Sequence, residues 1–569
     1  MRDNSAFSSG PALAGWVLTV LLAVGGFVFV HGNRANIPLG DEILWLPYIT
    51  GEQRVTLQWL WSQHNDHRLL IPRLLYIGLW HLRPHSFKLA MYFGFVCLVL
   101  ATVVMLVVSM RLRSKPSYFD CLFPLLFLNP GNAENFLSGY NSVCNILTVT
   151  AVVALIGLVM VDGELQSRLA RFFAIGTVVC LPVITGTGTL LALPASIALA
   201  YAGVLAFRKG AVNSRPAAAS LWAAGLVVLA IVALHAVTGN RQQVPHSSVK
   251  HMVLNALKVL TMSFGPFLQE QKQYWPYCFV LVATVGIVTL CFSIEKFRKE
   301  PQERVRLTML WAIVFGLVVA AAVIGYSRTY LGIDAGLQTR YSLLWAPLLC
   351  CLYLAMSIAG SAAWAEFSQF VLFLAVAASF GMSSEVGWTW RDQRNAYFDT
   401  IAAGVRMGWT QSDLVDATRE RKFVYPDPAF FDEFFQRLRA AGLAPFDQSL
   451  STGAGRPRTA FGSGEASLRG NVDACAYDGT GYRITGWAVC DAATPGFVTL
   501  VLDGQAVVGT SERQSRADVE QAVGVSEAGF LLVAPPRVEG KRLVLHARCG
   551  NALQDQALPG TFTCSSRPR

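Results

Sequence analysis

From residue 12 onward the chain alternates long apolar runs with short polar breaks, opening with ALAGWVLTVLLAVGGFVFV (12–30) and continuing to residue 383. An α-helix rises about 1.5 Å per residue, so about 20 apolar residues cross the hydrocarbon core of a bilayer. On that basis the pattern predicts spans at 12–30, 88–110, 118–128, 142–161, 172–185, 189–207, 217–237, 274–294, 307–325, 342–359 and 367–383, eleven in all. The third and fifth are short and run into Gly-, Pro- and Asn-rich sequence. Irregular backbone survives at membrane depth only where protein or a water-filled cavity satisfies it. These two segments therefore predict a polar cavity between helices.

The stretch VTLQWLWSQHNDHRLLIPRLLYIGLWHL (55–82) is apolar but too interrupted to span. It predicts amphipathic helices lying in the interface, with Trp59, Trp61, Tyr76 and Trp80 as an aromatic belt. From Ser384 the texture changes, and about 185 residues follow, enough for one or two small domains. Residues 384–450 read as a helical segment in which DPAFFDEFFQRLRAAGL (427–443) forms one helix. Asp427 is its N-cap, Gly442 its stop, and Phe431, Phe434, Phe435 and Leu438 its apolar face. STGAGRPRTAFGSGEAS (451–467) is a linker by composition. Residues 482–489, 497–509, 529–535 and 541–549 read as strands, with Asp503-Gly504 as a hairpin turn, which predicts a small antiparallel β-sandwich over 468–569.

Composition strengthens the membrane reading: 53% of residues are hydrophobic and 14% charged, with mean hydropathy +0.43. A soluble chain carries about 25% charged residues. The first apolar run is too long for a signal peptide, and HGNRAN offers no cleavage site, so it reads as a retained helix. RLRSK (111–115), RKGAVNSR (208–215) and EKFRKEPQERVR (295–306) fall on one side, the cytoplasmic one by the positive-inside rule. An odd number of spans then puts the N-terminus in the cytoplasm and the C-terminal region outside. Four cysteines, Cys475, Cys490, Cys549 and Cys564, lie in that region and suit an oxidising compartment. Of three possible connectivities, Cys475–Cys490 with Cys549–Cys564 is favoured; zinc is the rival, without C-x-x-C spacing to support it.

The outer loops break the charge rule. They carry Arg34, Arg54, Arg68, Arg73, Arg83, Arg241, Lys250, Lys258, Arg328 and Arg340. A guanidinium fork matches phosphate oxygens, and arginines also snorkel to headgroups. Arg340 stands out because QTRY abuts the start of a span. The first outer loop opens with GDEILWLPYI, whose Asp41 and Glu42 are adjacent carboxylates. A carboxylate in a low-dielectric pocket has a raised pKa and can serve as a general base, whereas a helix cap is the plainer use for one of the two. QHNDHR (63–68) concentrates His64, Asp66, His67 and Arg68. These are metal-ligand types, but their spacing matches no metal motif, and a polar loop beside an active carboxylate is the alternative. NPGNAENFLSGYN (129–141) adds Glu134 and Asn135. TGTGTLLALP (185–194) lacks the strand-turn-helix context of a nucleotide loop and reads as close helix packing. No Walker, HExxH or kinase signature is present.

With these residues in view, the chain resembles the GT-C superfamily of membrane glycosyltransferases, including the protein O-mannosyltransferases and the lipid A aminoarabinose transferases. The acidic pair after span one, the interfacial helices and the short irregular spans carry the likeness over residues 12–383. GDEILWLPYI, HNDHRLLIPRLL, NPGNAENFLSGYN and QTRYS together look like a group of bacterial proteins of that type. The resemblance implies an inverting hexosyl or pentosyl transfer at the outer face of the bacterial inner membrane, from an undecaprenyl-phosphate sugar to a glycan, glycolipid or protein. Asp41, or its neighbour Glu42, would be the base. Arg68, Arg73 and Arg340 would hold the donor phosphate, and His64, Asp66, His67, Glu134, Asn135 and Tyr341 would contact sugar or acceptor. Some relatives use a divalent metal; no D-x-D stands in the first loop, and no metal ligand is assigned. No nucleic-acid partner is expected. A flippase for lipid-linked glycans and a non-catalytic envelope assembly protein are the alternative readings.

Overall fold

The computed structural model describes residues 10–34, 36–65, 67–113, 115–208, 214–239, 248–406, 436–438, 440–443, 468–477, 481–490, 498–502, 505–508, 512–547 and 556–564. The chain divides into two compact units, 1–38 with 54–392, and 39–53 with 393–569.

Helices in chain order are α1 Gly10–His31, α2 Leu46–Ile49, α3 Leu57–Trp61, α4 Leu70–Leu82, α5 Lys88–Arg113, α6 Leu122–Phe127, α7 Ala133–Phe136, α8 Gly139–Asn141, α9 Leu147–Val161, α10 Arg168–Cys180 and α11 Gly186–Arg208. Then follow α12 Ser214–Thr238, α13 Val249–Thr261, α14 Phe267–Glu270, α15 Trp275–Lys299, α16 Arg304–Ser327, α17 Tyr341–Ala359 and α18 Ala362–Arg406. Among the described residues nine helices are long and apolar enough to cross a membrane: α1, α5, the run Gly139–Val161, α11, α12, α15, α16, α17 and α18. This is a multi-pass membrane protein. The helix apolar on every side is α17, and it is buried on every side, as such a helix must be. By contrast α1 exposes Leu13, Val20, Leu21 and Val24, the surface a lipid-facing helix presents.

The two short segments do not form continuous helices. Residues 118–141 break into a 3-10 turn, α6, a second turn at Pro130–Asn132, α7 and α8. Each break is capped locally. The Ser117 hydroxyl accepts from the Phe119 amide at 3.2 Å, Asn129 Oδ1 from Gly131 at 2.7 Å and the Ser138 hydroxyl from Asn141 at 3.2 Å. The broken chain lies directly on the backbone of α18. A Cβ on Gly131 would fall 2.5 Å from the Ser383 carbonyl oxygen, and one on Gly387 2.0 Å from that of Pro130. The second short segment is α10, which starts four residues earlier than the expected 172 and ends at Cys180, five short of the expected 185, before a 3-10 turn at Leu181–Val183. Gly94 of α5 packs on Ser142, and Gly157 of α9 packs on Val104. The stretch running into α9 and α9 itself are thus parallel to α5, which requires 118–141 to return from one end of the bundle to the other.

At the end where α5 stops, a buried polar knot ties four segments. Asp120 takes an ion pair from Arg113, hydrogen bonds from Ser109 at 2.6 Å and Tyr353 at 2.8 Å, and the Ser117 amide at 3.0 Å. Arg113 also donates to Tyr353 at 2.9 Å and Gln369 at 3.0 Å. The last long helix runs through residue 383 without a break and reaches Arg406, because SSEVGWTWRDQRNAYF contains no proline and continues the helical run.

In the second unit, a 3-10 turn Gly40–Trp45 leads into α2. Most of the helix expected at 427–443 and all of the linker 451–467 lie outside the described residues. Residues 436–438 are helical, and Gly442 has φ +60°, the left-handed stop expected of it. After the two-residue strands β1 Gln63–His64 and β2 His67–Arg68 of the first unit, the strands of the C-terminal region pair antiparallel. Strands β3 Leu468–Tyr477, β4 Tyr482–Cys490, β8 Gly529–Ala534 and β7 Glu512–Gln514 form one sheet in the order β3-β4-β8-β7. The other runs β10-β9-β5-β6, from Gln556–Ala557, Arg542–Ala547, Val498–Leu502 and Gln505–Val508, with β11 Phe562–Thr563 also on β9. Leu502 pairs with Gln505, the register of the expected two-residue turn. A short helix, α19 Ala517–Val523, and strands β3, β7, β10 and β11 were not expected. Arg516, which precedes α19, clasps Asp518 through two hydrogen bonds, at 2.8 and 2.6 Å, and those bonds hold that carboxyl down at about 2.

The expected cysteine pairing is corrected. Cys475 bonds Cys564, with Cα atoms 5.1 Å apart, and not Cys490. The register explains why: Cys475 faces Ile484, and Cys490 faces Leu468 at the far end of the same strand pair. Cys490 is disulfide-bonded as well, and Cys549 lies outside the described residues.

Two outcomes are expected. Replacing Asp120 with Ala strands a buried arginine, which costs about 3–5 kcal/mol; thermal unfolding in detergent should show a large loss for Asp120→Ala. Non-reducing peptide mapping should recover a cross-link between the peptides holding Cys475 and Cys564.

Candidate functional site

The polar stretch QHNDHR folds as a minimal hairpin, Gln63–His64 paired with His67–Arg68. Asn65 sits at φ +51°, where Asn is tolerated in a two-residue turn; Asp66 lies outside the described residues. His64 and His67 are a cross-strand pair with rings 6.1 Å apart, and buried His64 lies 5.5 Å from the ring of Tyr140. The start of α11 packs on the hairpin: a Cβ on Gly186 would be 3.4 Å from that of His67. The Asn-Asp pair between two histidines was the turn signal in the sequence.

Arg68 and Arg73, expected to hold phosphate, cap carbonyls. Buried Arg73 donates to the carbonyls of Trp59, Leu60 (3.2 Å) and Ser62 (2.9 Å), the last turn of α3, and to the Ser62 hydroxyl at 3.0 Å. It also stacks over Trp59, at 4.8 Å. Arg68 donates to the Trp61 carbonyl, and to both the carbonyl (3.2 Å) and hydroxyl (2.6 Å) of Thr238 at the end of α12. These arginines complete helix C-termini, whose last carbonyls have no partner within the helix.

The two motifs NPGNAENFLSGYN and QTRYS, some two hundred residues apart, are brought together. The Glu134 carboxylate accepts from the Thr339 hydroxyl. Fully buried Asn135 donates to the Arg340 carbonyl at 3.2 Å, and its Oδ1 accepts from Asn145 at 3.0 Å. Asn132 Oδ1 accepts from the Ser342 hydroxyl at 2.6 Å. Arg340 donates to Gln338 and lies 5.7 Å over the Tyr341 ring; Tyr341 itself is buried against Trp345. Sequence reasoning missed Asn145 and Thr339. The signal for Asn145 was a lone amide in an apolar run, and it falls in a π-helical turn, Ser142–Ile146, a distortion that often marks a functional position. The cavity lined by Asn129, Asn132, Ser263 and Ser342 measures about 10 Å³, room for a single water, and serves packing.

Asp41 and Glu42 belong to the second unit and differ in kind. Glu42 is fully buried and its carboxylate accepts from the Leu39 amide at 2.9 Å, capping its own 3-10 turn. It also interacts electrostatically with the buried Arg394 of α18. Of the two carboxylates it is the structural one. Asp41 stands at the first turn, half-buried.

Among the described residues no group of three His, Cys, Asp or Glu side chains is arranged to hold a metal ion. No protein-family model matches the chain, and no curated protein aligns with it.

Arg73→Ala should destabilise the first unit by about 2–3 kcal/mol, because the carbonyls of Trp59, Leu60 and Ser62 all lose the one terminal nitrogen that caps them. Thermal unfolding in detergent checks it; stability equal to wild type would contradict the capping role.

Proposed function

We propose that this protein is a GT-C-type glycosyltransferase of the bacterial inner membrane, moving a sugar from a polyprenyl-phosphate donor to a periplasmic-side acceptor. In this reading the bundle crosses eleven times, counting 118–141 and α10, with the N-terminus cytoplasmic. The C-terminal sheets, packed as a sandwich, are then periplasmic, where disulfides persist.

What supports the reading is the convergence of Arg340, Glu134, Asn135, Tyr140 and His64 at one end of an apolar bundle. Polar side chains in such a bundle are costly and mark functional places. The chemistry assigns roles. Asp41 removes the proton from an acceptor hydroxyl as that oxygen bonds to the sugar C1 from the face opposite the phosphate. The C1–O bond to phosphate breaks, the configuration inverts, and polyprenyl phosphate leaves with its electron pair. Arg340 stabilises the charge that grows on that phosphate. His64, His67, Glu134, Asn135 and Tyr341 supply donors and acceptors to sugar or acceptor hydroxyls. Arg68, Arg73 and Glu42 hold the frame.

Asp41→Asn should abolish transfer with expression and folding intact, and Arg340→Ala should lower turnover by about 10²–10³-fold. Glu42→Gln should lower stability while sparing activity per folded molecule. The decisive measurement is mass spectrometry of envelope glycans with and without the gene. Loss of one sugar, restored by wild type and not by Asp41→Asn, supports the reading; an unchanged glycan profile, or full complementation by Asp41→Asn, overturns it.

A further inference from the structure

The segment that carries Arg340 is gripped a second time, by residues to which the reaction above gives no role. On α13, Asn255 is fully buried. Its Nδ2 donates to the Gly332 carbonyl at 3.0 Å, and its Oδ1 accepts from the Gly336 amide at 3.1 Å. One turn later Lys258, 5% exposed, donates to the Ile333 carbonyl at 2.8 Å and to Asp334 at 2.7 Å. Lys272 reaches the other oxygen of Asp334, at 2.7 Å. The Lys258 ammonium also lies 5.6 Å over the Trp275 ring. Gly336 touches α13 backbone to backbone: a Cβ there would fall 2.3 Å from the Asn255 carbonyl oxygen. Its φ lies outside the left-handed region, so space and not conformation demands glycine.

Four residues beyond Gly336, the chain reaches Arg340 and the second grip, made by Asn132, Glu134 and Asn135. We infer that Asn255, Lys258 and Asp334 are positioning residues, which fix the 332–342 strap against α13 and thereby set where Arg340 presents its guanidinium. A buried ammonium needs an ionised partner. Asp334 is such a partner: burial pushes its carboxyl up, but hydrogen bonds from Lys258 and Lys272 outweigh that and hold it below the usual range. The strap is therefore locked near neutral pH by one shared carboxylate and by direct backbone contact. This inference rests on the proposed phosphate-binding role of Arg340 for its functional consequence, and on geometry alone for the grip.

The experiment uses full-length protein in detergent and reads two quantities. The first is amide hydrogen exchange in Asn255→Ala and Gly336→Ala. Exchange across 332–342 should rise roughly tenfold or more while the middle of α17 keeps its protection, since a local opening raises exchange only where it occurs. Unchanged exchange across 332–342 in both variants overturns the grip. The second is binding of undecaprenyl phosphate, measured by native mass spectrometry in Asp334→Asn, Arg340→Ala and the double variant. Asp334→Asn should weaken binding about tenfold, and the double variant should bind no worse than Arg340→Ala, because residues acting through one another are not additive. Full additivity overturns the positioning role. Wild-type binding by Arg340→Ala alone would instead overturn the role given to Arg340 in the proposed reaction, and the grip would then be judged by the exchange result.

Discussion

Inside a bilayer, a broken helix has no water to pair with the peptide groups it frees. That constraint shapes the whole first unit. Residues 118–141 are broken at Pro130 and by a run of small and amide residues, and each turn draws a side chain onto the freed backbone: Ser117, Asn129 and Ser138. Those caps satisfy the amides nearby. The remaining needs are met from a distance, by Asn132, Glu134 and Asn135 reaching residues 339–342. The break thus gathers polar groups at one end of an otherwise apolar bundle, and the gathering makes a chemical site conceivable there.

The two ends of the bundle use charge differently. At one end Arg113 and Asp120 are tied into a knot with Tyr353 and Gln369. At the other, Arg68 and Arg73 are occupied with carbonyls at the ends of α12 and α3. The guanidinium suited to phosphate is equally suited to a cluster of carbonyl oxygens, and its three-dimensional surroundings decide which it serves. Arg340 differs because its own backbone carbonyl is held by Asn135 and its segment is held again by α13. Its guanidinium engages neighbours within its own segment, Gln338 and the Tyr341 ring, and not a helix end.

Much of this was legible in the sequence. Apolar runs located the long helices, since length and composition alone set them, and short apolar runs between turn signals located β4, β8 and β9. The pairing of Leu502 with Gln505 has the register that the expected Asp503-Gly504 turn requires. The end of α18 was misplaced, because hydropathy falls at residue 384 while the helix continues; the backbone pattern does not follow the solvent pattern. The disulfide pairing failed because proximity in sequence was weighed before strand register. At the site, Glu134, Asn135 and Arg340 stood out as polar residues beside helix breaks. Asn255 did not, and Lys258 counted only as one of the outer-loop cations, because a lysine and an amide on an amphipathic helix look like solvent-facing residues until the strap they hold is seen.

The central claim is that a lipid-linked phosphate is held by Arg340 at the end of the bundle where the hairpin 63–68 lies. A cryo-electron-microscopy structure of the full chain in nanodiscs supplied with undecaprenyl phosphate tests it directly. The account predicts phosphate density within hydrogen-bonding reach of the Arg340 guanidinium, and none against Arg68 or Arg73. Density at the Asp120 end, or against those capping arginines with Arg340 bare, would contradict it.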